Sequence, residues 1–324
     1  MTDGAFTVCE PGGPEVLVWG EGDPGAPGPG EVLVRHEAIS VDFIDVMIRK
    51  GRAGFPMPTG IGFAAAGRVA ALGEGVSGLG VGDRVAYYTL AAGAYATARV
   101  IPAERAIRLA DQGMDPAVAA GALFKGLTAW YLATEMRTVK PGEVALLHAA
   151  AGGVGVILLQ WLNHLGAKVV ATVGSQDKVA LVRGYGCEAV VVRPGDFVEA
   201  VRAASGGAGA AIVYESVGKE TFAASLEAAA RFGMVVSYGW PSGDPDPVPL
   251  MSLRSKSLFV TRPTISHYAA DAAKLQAGAA MLFELIGKGA IKLEVTHRYP
   301  LHEAARAHAD LEAGGTTGPV VLVV

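Results

Sequence analysis

The sequence predicts an α/β protein in which a doubly wound parallel sheet is inserted into a β-rich unit made from both chain ends. Three observations predict it. The first third alternates short β-rich runs with Gly/Pro turns; from about Asp115 the texture becomes Ala-rich and helical, then strands and helices alternate in order; and the chain closes on an apolar strand, Pro319-Val320-Val321-Leu322-Val323-Val324. Ordered βαβ alternation calls for parallel strands with helices on both faces.

Taken in order, the early strands fall at 31–35, 67–72 and 83–88. Punctuators such as Gly25-Ala26-Pro27-Gly28-Pro29-Gly30 and Gly73-Glu74-Gly75 separate them, at the spacing of hairpin and barrel connections. The later strands are 144–148, 168–173, 189–193, 211–215, 234–239 and 258–261, with helical stretches between most of them. Helices return from Asp271, and the terminal strand is expected to pair in the N-terminal unit. This places one domain over 1–122 and 266–324 and the other over 123–265, with no repeat or low-complexity segment.

Of 324 residues, 51% are hydrophobic and 18% charged, which supplies apolar material for two cores and excludes a disordered chain. Lys and Arg number 27 against 31 Asp and Glu, a net charge of -4 with no basic block. That argues against nucleic-acid or anionic-membrane partners and leaves small molecules. Cys9 and Cys187 lie far apart and in no CxxC spacing, so neither a disulfide framework nor a four-cysteine zinc site is available, and a reducing, cytoplasmic setting is expected. The N-terminus shows no basic segment leading into an apolar stretch, so no secretory signal is read there. The uncharged run 144–162 has the length of a membrane helix, yet His148 and the glycines 152, 153 and 155 divide it into strand, turn and helix.

That turn is the first chemical signal. After the strand at 144–148 comes Ala149-Ala150-Ala151-Gly152-Gly153-Val154-Gly155, then the helical Val156-Ile157-Leu158-Leu159-Gln160-Trp161-Leu162. Without side chains in the way, backbone N–H groups and a helix N-terminus can approach a pyrophosphate. Against the GxGxxG pattern Ala150 stands in the first place, and a turn serving only tight helix-on-strand packing would read the same. At the end of the second strand stands Gly174-Ser175-Gln176-Asp177-Lys178. The acidic residue that binds a ribose 2′-hydroxyl is missing from that strand end, while Ser175 can donate to a 2′-phosphate and Lys178 can supply a cation, so NADP is favoured over NAD. A solvated helix lysine is the plain alternative for Lys178. Asp177 either points away or weakens phosphate binding.

His297, His302 and His308 are spaced by five and six residues, which puts no two on one helical face, so surface or capping roles are expected and no metal. His148, at a strand end, reads as a packed or hydrogen-bonded core histidine. No GxSxG or HExxH occurs, which leaves hydrolase readings unsupported and cofactor chemistry standing.

Long matches carry a family resemblance: Leu123-Phe124-Lys125-Gly126-Leu127-Thr128-Ala129, His148 through Gly155, Thr172-Val173-Gly174-Ser175, Val213-Tyr214-Glu215-Ser216-Val217-Gly218, Val260-Thr261-Arg262-Pro263 and Gly12-Gly13-Pro14-Glu15-Val16-Leu17. Over nearly its whole length the chain resembles the zinc-independent, zeta-crystallin-like quinone oxidoreductases of the medium-chain dehydrogenase/reductase superfamily. The resemblance implies a GroES-like catalytic domain from both chain ends, a Rossmann domain between them, NADPH in the cleft, hydride transfer to a quinone, and a homodimer. It implies a pyrophosphate site at Gly152, Gly153 and Val154 and a 2′-phosphate site at Gly174, Ser175 and Lys178. It implies a nicotinamide half at Phe43, Met47, Thr128, Tyr131, Val217, Gly239 and Pro263. The apolar run Ser257-Leu258-Phe259-Val260-Thr261 is the candidate dimer edge. Where the zinc-dependent members carry Gly-His-Glu and an early cysteine ligand, this chain has Gly62-Phe63-Ala64 and Val41-Asp42-Phe43, so no catalytic zinc is expected.

Departures from the family pattern bear on the substrate. Asp42 replaces an Asn, Met47 a Tyr and Ala64 a Glu, so an amide donor and a phenol become an acceptor and a thioether. A more hydrophobic acceptor is therefore expected as an alternative to a small quinone: an enone, an alkenal or a substituted acrylate. Around the 2′-phosphate, Val192 and Gly314 stand where relatives have Tyr and Arg, and Arg193 is the candidate substitute. Proton-donor candidates are Asp42, Asp45, Tyr88 and water. Asp42 would need a raised pKa to serve, and Asp45 equally fits a helix cap. Two rival functions are an NADPH-binding protein with little turnover and an enoyl-reductase-like enzyme acting on acyl thioesters.

Overall fold

The computed structural model describes residues 2–109 and 113–324. They form two compact units: Met1–Leu127 with Ala269–Leu282 and Leu293–Val324, and Thr128–Tyr268 with Phe283–Lys292. The N-terminal third contributes strands β1 (Gly4–Val8), β2 (Leu17–Glu21), β3 (Glu31–Val41), β4 (Thr59–Gly60), β5 (Ala64–Leu72), β6 (Arg84–Tyr88), β7 (Ala98–Pro102) and β8 (Ala106–Arg108), with helix α1 (Phe43–Arg49) between β3 and β4. After α2 (Pro116–Trp130) come β9 (Val144–Leu147), α3 (Gly153–His164), β10 (Lys168–Val173), α4 (Val179–Gly184), β11 (Ala189–Val192), α5 (Phe197–Ser205), β12 (Ala210–Glu215), α6 (Phe222–Ala228) and β13 (Ala229–Ser237). The chain ends with α7 (Leu250–Leu253), β14 (Phe259–Thr261), α8 (Ile265–Tyr268), α9 (Ala272–Gly287), β15 (His297–Pro300), α10 (Ala304–Glu312) and β16 (Val320–Val323).

In the first unit β3 is the spine. Its eleven residues pair antiparallel with β5 on one side; on the other they pair with β7 near their start and with β16 near their end. The sheet runs β15-β16-β3-β5-β6-β8 with β7 beside β3, and β2-β1-β4 form a second sheet. The C-terminal strand therefore closes the N-terminal unit as expected, Val320 opposite Val41 and Leu322 opposite Ile39. Alternation along β3 sends Val32 and Val34 into a core shared with Val69, Val85, Tyr87, Ile101 and Leu322.

In the second unit six strands lie in the order β11-β10-β9-β12-β13-β14, and every pair is parallel. Counted within the unit this is 3-2-1-4-5-6, the doubly wound order whose winding reverses between β9 and β12. Helices on both faces explain why β9 is buried throughout and reads as an unbroken apolar run. Its core joins Val144, Leu146, Val170, Val213 and Val235 to Phe197, Val201 and Phe222. The Asp196 carboxylate accepts the Glu199 N–H at 2.9 Å to start α5, and Gly206, at φ 62, ends that helix in the left-handed conformation.

Three strands are longer than expected: β3 runs on to Val41 rather than 35, β5 starts at Ala64 rather than 67, and β13 starts early. β13 begins at Ala229 rather than 234, because Ala229 pairs with Ala210 before the register shifts and Phe232, at φ 61, kinks the strand. The Ala-rich lead-in disguised it as helix.

Candidate active site

The glycine turn is built as its sequence suggests. β9 hands over through Ala149, a non-glycine residue at φ 49, and Gly152 caps α3 in an extended conformation. The turn is tied by Gly152 N–H to the Ala149 carbonyl at 2.9 Å and Ala150 N–H to the Thr172 carbonyl at 3.0 Å. A Cβ on Gly155 would overlap the Ala149 carbonyl, so Gly155 is what lets the helix sit against the strand. Gly152, Gly153 and Val154 are partly exposed at the start of a twelve-residue helix. Unpaired N–H groups of a first helical turn suit an anion. The residues present thus fit a pyrophosphate.

Behind the turn stands a buried polar cluster. His148 places Nδ1 2.9 Å from the Thr172 hydroxyl and Nε2 3.0 Å from that of Ser225. Burial pulls its pKa down to about 4, making it the hydrogen-bonded core histidine its position predicts. Sequence reasoning missed its neighbour. The fully buried Glu215 carboxylate accepts the N–H groups of Val217 at 2.7 Å and Gly218 at 3.0 Å, the Thr221 hydroxyl at 2.9 Å and the Ser225 hydroxyl at 2.6 Å. It thereby fixes the loop that carries Val217. The available signal was a lone acid closing an apolar strand, which pays for its burial only if fully bonded. Gly239 on the next loop packs so close to the Ser216 carbonyl that a Cβ would lie 2.7 Å away. Thr128 and Tyr131 are buried, and the Tyr131 ring stacks on Tyr268 at 4.5 Å; Pro263 is partly exposed after β14.

At the end of β10, Gly174 is exposed, and Ser175 and Lys178 are partly so. The Ser175 hydroxyl hydrogen-bonds the Asp177 carboxylate and lowers its pKa. Arg193, one residue past β11, bonds its N–H to the Val173 carbonyl at 2.9 Å and its Nη1 to Glu220 at 3.2 Å. Its guanidinium lies 3.6 Å from where a Gly174 Cβ would stand.

In the first unit, Asp42 precedes α1 and Phe43 opens it, half-buried, with buried Met47 one turn later. Lys125 Nζ donates to the Asp42 carboxylate at 2.7 Å, the Ser40 hydroxyl at 2.8 Å and the Val41 carbonyl at 3.1 Å, in a pair that is almost wholly buried. The Asp45 carboxylate accepts the Asp42 N–H at 2.9 Å and the Tyr95 hydroxyl at 3.1 Å. Burial, then the Asp42 charge, pushes the Asp45 pKa up to about 8. Asp45 is fully buried at the helix start, and Tyr88 is also buried, its pKa raised by burial with the Arg105 cation 5.6 Å from its ring. Phe63 meets Phe55 at 5.9 Å and Phe124 at 6.3 Å, and Phe124 meets Tyr88 at 5.6 Å, forming an aromatic cluster.

The histidines need a correction. His302 is exposed and His297 accepts the Thr317 N–H at 3.1 Å, but His308 is neither surface nor cap. It is fully buried, 3.0 Å from the Tyr95 hydroxyl, with its pKa lowered to about 3 by burial. A tyrosine more than two hundred residues upstream supplied the partner that spacing alone could not reveal. Among the described residues, no three His, Cys, Asp or Glu side chains group as metal ligands.

Two family models match the chain: "Alcohol dehydrogenase GroES-like domain" over residues 28–111 and "Zinc-binding dehydrogenase" over residues 153–283. A quinone oxidoreductase of Pseudomonas aeruginosa is 44% identical over 315 residues, covering 96% of this chain and 97% of that protein. A 2-haloacrylate reductase of Burkholderia sp is 39% identical and covers 98% of each. The structure of the Escherichia coli quinone oxidoreductase complexed with NADPH superposes with a TM-score of 0.95 at 40% identity, over 99% of this chain and 100% of that one.

Proposed function

Since the chain belongs to the quinone oxidoreductase family of the medium-chain dehydrogenase/reductase superfamily, we propose that it transfers a hydride from NADPH to a quinone acceptor. The observation that carries the cofactor reading is the pairing of a glycine turn at α3 with an acid-free end of β10 faced by Arg193. In this reading Gly152, Gly153 and Val154 hold the pyrophosphate, and Gly174, Ser175 and Lys178 the 2′-phosphate end. The nicotinamide half falls to Thr128, Tyr131, Val217, Gly239 and Pro263 of the second unit. NADPH supplies the hydride; the protein supplies position and a dry surround. Glu215 acts as an orienting group by fixing the Val217 loop. Asp45, sealed and bonded to the Asp42 N–H, holds its proton near neutral pH and stands as a helix cap, so solvent is our choice of proton source. Phe63, standing where zinc-dependent members carry a ligand, joins an aromatic cluster, which supports a metal-free reaction.

A second reading, reduction of an activated C=C bond, is favoured by the 2-haloacrylate reductase relative and by the Asp42–Lys125 pair, which sets a carboxylate where family members carry an amide. NADPH oxidation with 1,4-benzoquinone, 9,10-phenanthrenequinone, an enone and a 2-alkenal, with NADH in parallel, tests both. Fast quinone turnover with NADPH is expected. Turnover confined to the enone or alkenal would transfer the assignment to the second reading, and tight NADPH binding without turnover would leave a binding protein.

We take the catalytic domain as 1–122 with 266–324 and the Rossmann domain as 123–265. We further take the protein to be a cytoplasmic homodimer joined through β14. That strand ends its sheet, and Phe259 is 58% exposed with Phe232 and Met251 also outward. Both cysteines are free, and among the described residues no helix is long and apolar enough to cross a membrane. Phe259→Lys should shift the sedimentation coefficient to that of a monomer.

A further inference from the structure

Resting on the NADPH reading, we propose that Arg193 joins Ser175 and Lys178 in recognising the 2′-phosphate, exchanging Glu220 for the phosphate as its partner. Four observations within the second unit carry this. First, the Arg193 main chain is pinned to the end of β10 by its bond to the Val173 carbonyl at 2.9 Å. Its Nη2 is 3.6 Å from the built Gly174 Cβ, so the guanidinium stands at the position where this fold reads the ribose. Second, the exposed Asp177 carboxylate sits two residues from Ser175 and would repel a phosphate, so a cation beside that of Lys178 strengthens the site.

Third, Arg193 is only partly committed. Its Nη1 meets Glu220 at 3.2 Å, the Glu220 side chain is 67% exposed, and Arg193 Nε is buried with no partner among the described residues. A half-solvated pair of this kind is weak, whereas a planar guanidinium on a dianionic phosphate makes two charge-assisted bonds. Fourth, Arg193 and Glu220 line a cavity of about 360 Å³ together with Asp196, Phe197 and Thr221, so Glu220 has room to leave the guanidinium. Glu220 then becomes the residue that limits the preference for NADPH, since it competes for the same fork.

The test is titration calorimetry of adenosine 2′,5′-bisphosphate and of 5′-AMP, which lacks the 2′-phosphate, on the full-length protein and on Arg193→Gln, Arg193→Lys and Glu220→Gln. Circular dichroism verifies that each variant is folded. The wild type should prefer the bisphosphate. Arg193→Gln should weaken the bisphosphate about tenfold or more while leaving 5′-AMP within about twofold. Arg193→Lys, with the charge but not the fork, should fall between, and Glu220→Gln should tighten the bisphosphate alone. A preference undiminished in Arg193→Gln, or an equal loss for both ligands, overturns the Arg193 assignment and spares the NADPH reading. A wild type that does not distinguish the two ligands overturns the NADPH reading and the proposal with it.

Discussion

Each unit buries a polar cluster, and the two are built to opposite standards. Around Glu215, both carboxylate oxygens are bonded, and His148 finds a hydroxyl on each ring nitrogen. Around α1, by contrast, Asp42 Oδ2, Asp45 Oδ1, Arg49 Nε and His308 Nδ1 are buried without a partner among the described residues. A saturated cluster is scaffolding: it locks the loop after β12 in one geometry. An unsaturated one keeps polar capacity in reserve beside Phe43 and Met47, which the resemblance assigns to the nicotinamide half. Precision is thus invested in the nucleotide unit and chemical latitude in the other, which holds Asp42, Met47 and Ala64.

The largest expected effect breaks the saturated side. Glu215→Ala leaves two N–H groups and two hydroxyls without their acceptor and should lower unfolding stability by about 4 kcal/mol in urea titrations. A loss below about 1 kcal/mol would show that the loop does not depend on it. Next, Lys125→Met strands the buried Asp42 carboxylate and should cost about 3 kcal/mol, most of it recovered in the double variant with Asp42→Asn. Failure of the double variant to recover would mean that packing, not charge, holds Lys125 in place.

Acid and alkali sharpen the contrast through opposite slopes. His36 and His148 are pulled to about 4 and His308 to about 3 by burial, so the unfolded chain binds protons that the folded one refuses between pH 6.5 and 4. Stability from these groups is complete above 6.5 and is lost as pH falls toward 4. Asp45 runs the other way: its folded pKa of about 8 lies above the unfolded 3.8, so its contribution is complete below 3.8 and lost as pH rises to 8. The three histidines outweigh one carboxyl on the acid side and Asp45 acts alone from 6.5 to 8, so these groups place the maximum near pH 6.5. Melting temperature against pH checks this, and Asp45→Asn should flatten the alkaline limb. The smallest effect is Thr172→Val, which removes one His148 partner and should cost about 1 kcal/mol at pH 7.

How much was legible depended on distance along the chain. The glycine turn, the alternation of strands and helices and the closing strand are local patterns, periodic or punctuated, and backbone sterics make such patterns nearly self-declaring. Gly155 could be read as a packing glycine because strand, turn and helix are contiguous. His308 could not be placed, because Tyr95 and Asp45 come from two other elements.

The sequence alone determined that an α/β unit interrupts a β-rich one, that a glycine turn opens its first helix and that no acid closes its second strand. Those features are written in residue type at fixed short spacing, where the chain has few conformations to choose from. Only the tertiary structure decided that Glu215 is a saturated strut, that Lys125 answers Asp42, and that Arg193 reaches back to Gly174. The last two need separate segments brought together by the hydrophobic collapse of sheet and helix, whereas the Glu215 partners lie within ten residues and are gathered by the turn from β12 into α6. The energy of a buried charge is set by the partners it then meets, and residue type alone does not say which those are.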